Sequence, residues 1–498
     1  MRCHVVDIRG QPRSTVKRRR AVRNCHRNGG CGRGQRRSAP ISFDELWCDG
    51  RQEGRVAEDR DSARDRRAGK RRWRTGVAVA VSALGVTTVL TTGTAHAAGG
   101  AAFAPAQFYD TFAGGPFFIR AVDINGDGKP DIVTCDSLQG GWGGLSVLIN
   151  HTEKGAAGTD FSAPFNVPGV PLAFGCNVAD VNGDGKPDLI ATDASKLGVG
   201  GVVVMLNHTE NGSDVPSFGP PQYFAGGLMP AVVAAADINN DGRLDLIVGD
   251  TANVVLGTTQ VLMNTTAPGS DTVTFSGPFF FNGGITTEGI AAADINGDGK
   301  TDLAIGETSS STVTVLMNFT ADGAPVPDLR PTTYFFPFAT WVGLADMNND
   351  GKPDLMSDVG ILGNPLAGMF SSVNRTPLGS PVPDFPTVLD GAQAHQAGGW
   401  ATENTAIADF DGDGKPDAVL ASPYLNPRNQ LSLLRNRTPD GAPALTFDPP
   451  ALIGDAGWTP NALDTADFNG DGKPDLVAGA FLAVTGRGSL AVLLNTSR

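Results

Sequence analysis

The chain has 498 residues, 65 Gly and 34 Pro, with 18% charged and 40% hydrophobic residues, a balance suited to turn-rich β structure and too poor in Gly and Pro for collagen or low-complexity sequence. The net charge of −13 hides a split: residues 1–97 carry 22 Lys+Arg against 9 Asp+Glu, and residues 98–498 carry 17 against 43. A body that acidic repels phosphate backbones, which argues against nucleic-acid binding and leaves it suited to hold cations.

The first hundred residues read as an address. Residues 1–69 are Arg-rich and show no apolar period, and a translation start nearer Val56 would leave most of them out. From 70 to 97 a basic cluster (Lys70-Arg71-Arg72-Trp73-Arg74) meets an apolar run from Gly76 to Leu90 and the small-residue site Ala95-His96-Ala97. That order is a secretory signal with cleavage after Ala97, and the run is short for a permanent span. The expectation is a secreted protein with no stable membrane insertion. Cys3, Cys25, Cys31 and Cys48 precede the signal with no compact zinc-ligand spacing. Past it only Cys135 and Cys176 remain. Export permits a disulfide, their repeat positions place them on neighbouring units, and a bonded pair is expected.

Residues 98–498 are built on one nine-residue phrase, D-x-[ND]-[GN]-D-G-[KR]-x-D, occurring seven times at spacings of 57, 57, 57, 52, 63 and 58 residues. Apolar runs flank each copy, as in Val232–Ala236 before and Leu246–Gly249 after. A third run ends in Asn, as in Val203–Asn207, and the next unit opens on Phe and Pro. Four short apolar runs per repeat, separated by Gly and Asn turns, describe a four-stranded propeller blade. The sequence therefore predicts an all-β, seven-bladed propeller of four-stranded antiparallel blades. The repeats are about 103–160, 161–217, 218–274, 275–328, 329–384, 385–446 and 447–498. With strands lettered A to D, the phrase joins A to B. The last repeat ends on strand C and the first begins with an orphan strand near Phe103 to Tyr109, so that strand is expected to complete the last blade and close the ring. The repeats use nearly all of the body and leave no room for a separate catalytic domain.

Position by position, the phrase is a cation loop. Oxygens at positions 1, 3, 5 and 9 with the carbonyl of position 7 are Asp123, Asn125, Asp127, Asp131 and Lys129 in the first loop. They are Asp180, Asn182, Asp184, Asp188 and Lys186 in the second, and Asp237, Asn239, Asp241, Asp245 and Arg243 in the third. The fourth has Asp294, Asn296, Asp298, Asp302 and Lys300; the fifth Asp346, Asn348, Asp350, Asp354 and Lys352. The sixth has Asp409, Asp411, Asp413, Asp417 and Lys415; the seventh Asp467, Asn469, Asp471, Asp475 and Lys473. Odd spacing in a tight turn turns successive oxygens inward, and all-oxygen ligands select calcium over zinc or copper. The loop opens like an EF-hand but lacks Glu at position 12, so Asp at position 9 is the expected closing ligand. About seven structural Ca2+ ions are expected, pinning the A–B turns. The sixth loop, with Asp411 in place of Asn, is expected to bind most tightly. The alternative is a set of metal-free Asx-turns.

These loops, the Phe/Gly/Pro openings and the V-L-x-N strand ends resemble FG-GAP repeats, also called VCBS repeats, best known from integrin α-subunit propellers. The resemblance covers about residues 103–498. It implies a seven-bladed propeller with calcium in the A–B loops and leaves the ligand open, since the family includes adhesion proteins, lectins and accessory domains of secreted enzymes.

Strand alternation puts A–B and C–D loops at one end of the ring, and B–C and D–A loops at the other. Trp142 falls in a B–C loop, Trp400 and Trp458 in D–A loops, and Trp341 at the start of a strand A, so the end opposite the acidic loops is the candidate ligand face. Asn150, Asn207, Asn264, Asn318, Asn374, Asn436 and Asn495 each sit two residues before Thr or Ser. Their repetition at one strand end points to a shared turn rather than to glycosylation. No nucleophile elbow, HExxH or phosphate loop appears. The reading is a monomeric, secreted, calcium-binding module for an extracellular glycan or protein; the alternative is a polysaccharide-acting enzyme with its site in the propeller channel.

Overall fold

The structure is a computed structural model. It describes residues 101–497 apart from 112–114, 137–143, 196–199, 253–257, 285, 359–367, 398–403, 422–430, 455, 458–459 and 483–486. The expected export signal and the four early cysteines lie outside the described residues.

The described residues form 28 strands in seven four-stranded sheets. After β1 (Gln107–Asp110), the first blade is β2 (Pro116–Val122), β3 (Asp131–Asp136), β4 (Gly144–Leu148) and β5 (Phe165–Val167). The second is β6 (Ala173–Ala179), β7 (Asp188–Asp193), β8 (Gly201–Met205) and β9 (Gln222–Ala225). The third is β10 (Pro230–Ala236), β11 (Asp245–Asp250), β12 (Thr259–Asn264) and β13 (Phe275–Phe281). The fourth is β14 (Thr287–Ala293), β15 (Asp302–Glu307), β16 (Thr312–Asn318) and β17 (Leu329–Phe335). The fifth is β18 (Val342–Ala345), β19 (Asp354–Asp358), β20 (Gly368–Ser372) and β21 (Gln393–Gln396). The sixth is β22 (Asn404–Ala408), β23 (Asp417–Ala421), β24 (Leu431–Leu434) and β25 (Ala451–Ile453). The seventh joins β26 (Pro460–Ala466), β27 (Asp475–Leu482) and β28 (Arg487–Leu493) to β1, in the order β1-β28-β27-β26. All pairings are antiparallel, with Gln107 opposite Val492 and Asp110 opposite Ser489 where β1 meets β28.

The first strands of successive blades touch one another, β2 with β6 and β26, β6 with β10, β10 with β14, β14 with β18, and β22 with β26, so they ring the axis. Every residue of β3, β7, β11 and β15 is buried, because the second strand of each blade is covered on both faces by neighbouring blades. This explains why these strands read as continuous apolar runs rather than as period-two alternations. The buried apolar side chains fall into seven clusters, each lying between two successive blades. Between the seventh and first blades it contains Ile119, Leu148 and Phe161 on one side and Phe468, Val477 and Leu490 on the other. Interblade packing of this kind makes each blade stable only in the company of its neighbours.

The strand β1 is tied to the first blade as well as to the last. Tyr109 Oη donates to Thr159 O at 2.7 Å, and its ring meets Phe161 edge-on with centroids 5.2 Å apart.

Cys135 on β3 and Cys176 on β6 face each other across the first interblade cluster, as their repeat positions require. They are two free buried thiols and not the bonded pair the sequence suggested. Burial, aided by the neighbouring Cys176 thiol, pushes the Cys135 thiol well up, which keeps it protonated and inert.

Candidate metal centres and the opposite face

Each acidic loop folds around its own carboxylates. In the first, Asp123 accepts from the amides of Asp127 and Gly128 at 3.2 and 2.8 Å. Asn125 Oδ1 accepts from Asp127 N at 3.1 Å, and Asp127 accepts from Lys129 N at 2.9 Å. Gly126 and Gly128 stand at φ +68° and +87°, a region that favours glycine. The third and fifth loops place Asn240 and Asn349 there, at φ 53° and 54°, because Asn tolerates the left-handed region best among the side chains with a Cβ.

Position 9 is also hydrogen-bonded into the fold, beyond the ligand role its spacing suggests. Asp131 is fully buried; its Oδ2 accepts from Ile124 N at 2.8 Å and its Oδ1 from Asn150 N at 2.7 Å. The same two bonds recur in every loop, at Asp188, Asp245, Asp302, Asp354, Asp417 and Asp475. This aspartate braces the loop against strand C. Burial, with the carboxylates at positions 5 and 1 adding their repulsion, pushes Asp131, Asp188, Asp245, Asp302 and Asp475 up to about 6 despite the two amide bonds. Asp354 and Asp417 reach about 7.

The strand-C asparagines explain the repeated sequons. Asn150 Nδ2 donates to Phe468 O of the preceding blade at 2.9 Å and to Pro130 O at 3.0 Å, while its Oδ1 accepts from Thr152 N at 2.9 Å. Asn207, Asn264, Asn318, Asn374, Asn436 and Asn495 reach the carbonyls of Ile124, Val181, Ile238, Ile295, Met347 and Phe410 in the same way, at 2.7 to 2.9 Å. All seven are buried, so each is an interblade staple that carries no accessible amide. The position-7 side chains also reach outward: Lys186 Nζ donates to Thr209 O at 2.7 Å, Lys352 Nζ to Thr376 O at 2.8 Å, and Arg243 Nε to Asn264 O at 2.9 Å.

A cation fits these loops by two tests. Oxygen is the only donor type that positions 1, 3 and 5 offer toward one another, apart from the Asn amides, which suits a hard divalent ion. Buried oxygens at position 3 of two loops, Asn239 Oδ1 and Asp411 Oδ1, have no hydrogen-bond partner, and a buried polar atom left unpaired is costly.

The other end of the ring carries a cavity of about 420 Å³. All seven blades line it: Phe118, Phe174, Ala231, Glu288, Trp341, Asn404 and Asn461 each come from the start of a first strand. The Trp341 amide donates to Asp358 Oδ1 at 2.6 Å, and the indole lies over Gly343, where an added Cβ would fall 2.3 Å from the ring. Asn461 is 6% exposed and its Oδ1 has no hydrogen-bond partner.

The FG-GAP-like repeat family matches residues 123–191, 180–248, 294–357 and 396–478, more than half of the chain. The chain belongs to the FG-GAP-like repeat family. No curated protein sequence matches it. Among solved structures, it is similar to BBS1N crystallised in complex with ARL6DN and soaked with mercury, at 12% identity over 79% of this chain and 96% of that one, TM-score 0.43. It is also similar to apo ctPRC2 in an autoinhibited state, at 8% identity over 79% of this chain and 98% of that one, TM-score 0.49. A third is a humanized mutant of the Chaetomium thermophilum Polycomb Repressive Complex 2, at 11% identity over 66% and 71%, TM-score 0.39. Likenesses this distant do not bear on function.

In this FG-GAP propeller the predicted ligand face is represented by Trp341 alone; Trp142, Trp400 and Trp458 lie outside the described residues. Sequence reasoning missed a second ring of acids beside the cavity. Asp136, Asp193, Asp250, Glu307 and Asp358 end the second strands of the first five blades and are buried. Asp250 accepts from Leu228 N and Ala252 N at 2.5 and 2.7 Å, and Asp358 from Thr340 Oγ1 at 2.6 Å, so these acids tie down segments at the cavity end. The signal was present as the acid ending the second apolar run of each of the first five repeats. Also missed was the polar side of the ring of first strands, where Asp464 accepts from Ala121 N at 2.8 Å and Arg120 Nε donates to Asn177 Oδ1 at 3.3 Å. Burial pushes Asp464 up and the Arg120 charge opposes it.

Proposed function

We propose that this FG-GAP propeller is a secreted, calcium-binding, monomeric module that binds an extracellular glycan or protein in the cavity opposite its acidic loops. The observation that carries the reading is the cavity itself. It offers aromatic faces on Phe118, Phe174 and Trp341 beside the buried, unpartnered acceptor Asn461 Oδ1. Aromatic faces stack on the apolar face of a sugar ring or on an apolar side chain, and the amide oxygen accepts from a hydroxyl or amide donor. Such convergence of a few polar groups on an apolar concavity is the usual form of a ligand site.

Calcium, when bound, would neutralise the carboxylates at positions 1 and 5, and at position 3 of the sixth loop, and relieve their repulsion. The chain's own residues do the rest: position 9 fixes the loop to strand C, and the strand-C asparagine of the next blade holds the loop's position-2 carbonyl. The propeller so held presents seven strand starts at fixed spacing around the cavity.

The test is a glycan array and an extracellular-protein array probed with the full chain and with Trp341→Ala and Asn461→Ala variants. Binding that falls at least tenfold in both variants supports the reading. Binding unchanged in both overturns the cavity as the site. Release of oligosaccharides from a polysaccharide by the same preparation supports the enzyme alternative instead.

A further inference from the structure

Six of the acidic loops are clasped by the following blade. Gly212 N, in the C–D turn of the second blade, donates to Asn125 O at 2.7 Å, and Asn125 Nδ2 returns a bond to Ser213 O at 3.1 Å. The same reciprocal pair forms at Asn182, Asn239, Asn296, Asn348 and Asn469. In every case the clasped residue is the position-3 asparagine, whose amide supplies the returning donor.

The sixth loop has no such clasp. The outer strand of the seventh blade is β1, and among the described residues no backbone amide donates to Asp411 O as Gly212 N does to Asn125 O. The loop faces a cavity of about 350 Å³ instead, lined by Asp409, Asp411, Gly472, Lys473, Asn495 and Ser497. Position 3 is Asp411, which has no side-chain amide to donate. Its side chain is 4% exposed and its Oδ1 has no hydrogen-bond partner. Carboxylate oxygens of Asp409, Asp411 and Asp413 lie within 4.8 Å of one another, the one such gathering of three acidic, His or Cys side chains among the described residues, since the other loops have Asn at position 3.

A cation already sits on this gathering. Arg437 Nη2 is 3.0 Å from Asp411 Oδ2, Nη1 is 2.8 Å from Asp413 Oδ2, and Nε is 3.0 Å from Asp448 Oδ2. The residue at this place after the strand-C asparagine is His151, His208, Thr265, Phe319, Arg375 or Thr496 in the other blades. In the third loop Arg243, from position 7, pairs with the single carboxylate of Asp241. Arg437 is the guanidinium that bridges two loop carboxylates among the described residues. A planar fork of donors matches two carboxylate oxygens well, and such a pair resists displacement more than one lysine contact does.

We propose that the sixth loop is the weak, exchangeable divalent-cation site of the propeller, and that Arg437 is the occupant which calcium must displace. Displaced, Arg437 keeps Asp448 as its partner. Counting carboxylates gives the opposite order, because it leaves out the charge that Arg437 returns. The inference rests on the calcium reading above.

Calcium is titrated into the chelator-stripped full chain by calorimetry, with terbium luminescence as a second readout, for the wild type, Arg437→Gln and Asp448→Asn. The wild type is expected to show one site class at least tenfold weaker than the rest. Arg437→Gln should tighten that class tenfold or more and leave the others in place. Asp448→Asn, which removes the displaced partner, should weaken it, and this holds as the test where Arg437→Gln does not fold. No binding of either ion to the wild type overturns the calcium reading and this inference with it. Binding with isotherms that superimpose for wild type and a folded Arg437→Gln variant overturns this inference alone, as does the loss of one ion per chain from the total stoichiometry of that variant.

Discussion

Replacing Asn207 by alanine isolates one interblade staple. The change removes the bond from Nδ2 to Ile124 O at 2.8 Å and the bond from Thr209 N to Oδ1 at 2.9 Å. Asn207 is 0% exposed, Thr209 1% and Ile124 2%, so water does not replace either partner without rearrangement. An unpaired buried backbone group costs about 1–3 kcal/mol, and two of them with partial relaxation cost about 2–4 kcal/mol. With an unfolding entropy of about 2.1 cal/mol/K per residue over about 400 propeller residues, that corresponds to a fall in Tm of about 2–5 °C. The assay is calorimetric melting together with intact-mass measurement of the purified protein. A Tm unchanged within about 0.5 °C, or a glycan on Asn207 of the folded wild type, would refute the staple.

Chelator-stripped protein should be most stable in mild acid. The position-9 aspartates are pushed from the usual 3.8 to about 6 or 7 in the folded state, so the folded chain prefers their protonated form. Their contribution is complete below pH 4 and is lost as pH rises through 6 to 7, so Tm in chelator should fall between pH 5 and 7.5. Saturating calcium should flatten that slope; a chelated protein that gains stability over this range contradicts the burial argument. At Asn240, with φ 53°, glycine should be tolerated within about 1 kcal/mol and valine should cost about 1–2 kcal/mol by denaturant unfolding. An equal effect of the two would show that the left-handed turn is not what selects Asn there. Mapping of thiol-labelled peptides should find Cys135 and Cys176 modified only after denaturation, and a disulfide-linked peptide would contradict the free thiols.

The propeller was legible because the phrase D-x-N-G-D-G-K-P-D fixes a turn, and its spacing fixes the number of strands between turns. The loops were legible for the same reason, since oxygens at odd positions in a turn need no tertiary knowledge to be placed. What the sequence hid is what one blade does to another. Asp131 reads from its spacing as a closing ligand alone; its role as a brace was hidden, because its partner Asn150 N lies 19 residues on and becomes adjacent only when strand C returns. Lys186 entered the sequence reading only through its position-7 carbonyl, and its side chain spans to Thr209 O. Asp411 looked like extra charge for a cation, and only the folded ring shows Arg437 lying against it. The ring of acids ending the second strands was visible as a repeat, but its purpose depends on the segments at the cavity end that those acids tie down.

The central claim is that the seven loops hold calcium and that calcium holds the propeller. Calorimetric titration of calcium into the chelator-stripped chain, with Tm followed alongside, tests it most directly. The account predicts about seven sites per chain, one of them weak, and a large rise in Tm on saturation. A flat titration with an unchanged Tm would contradict it and leave the loops to the hydrogen bonds of their own carboxylates.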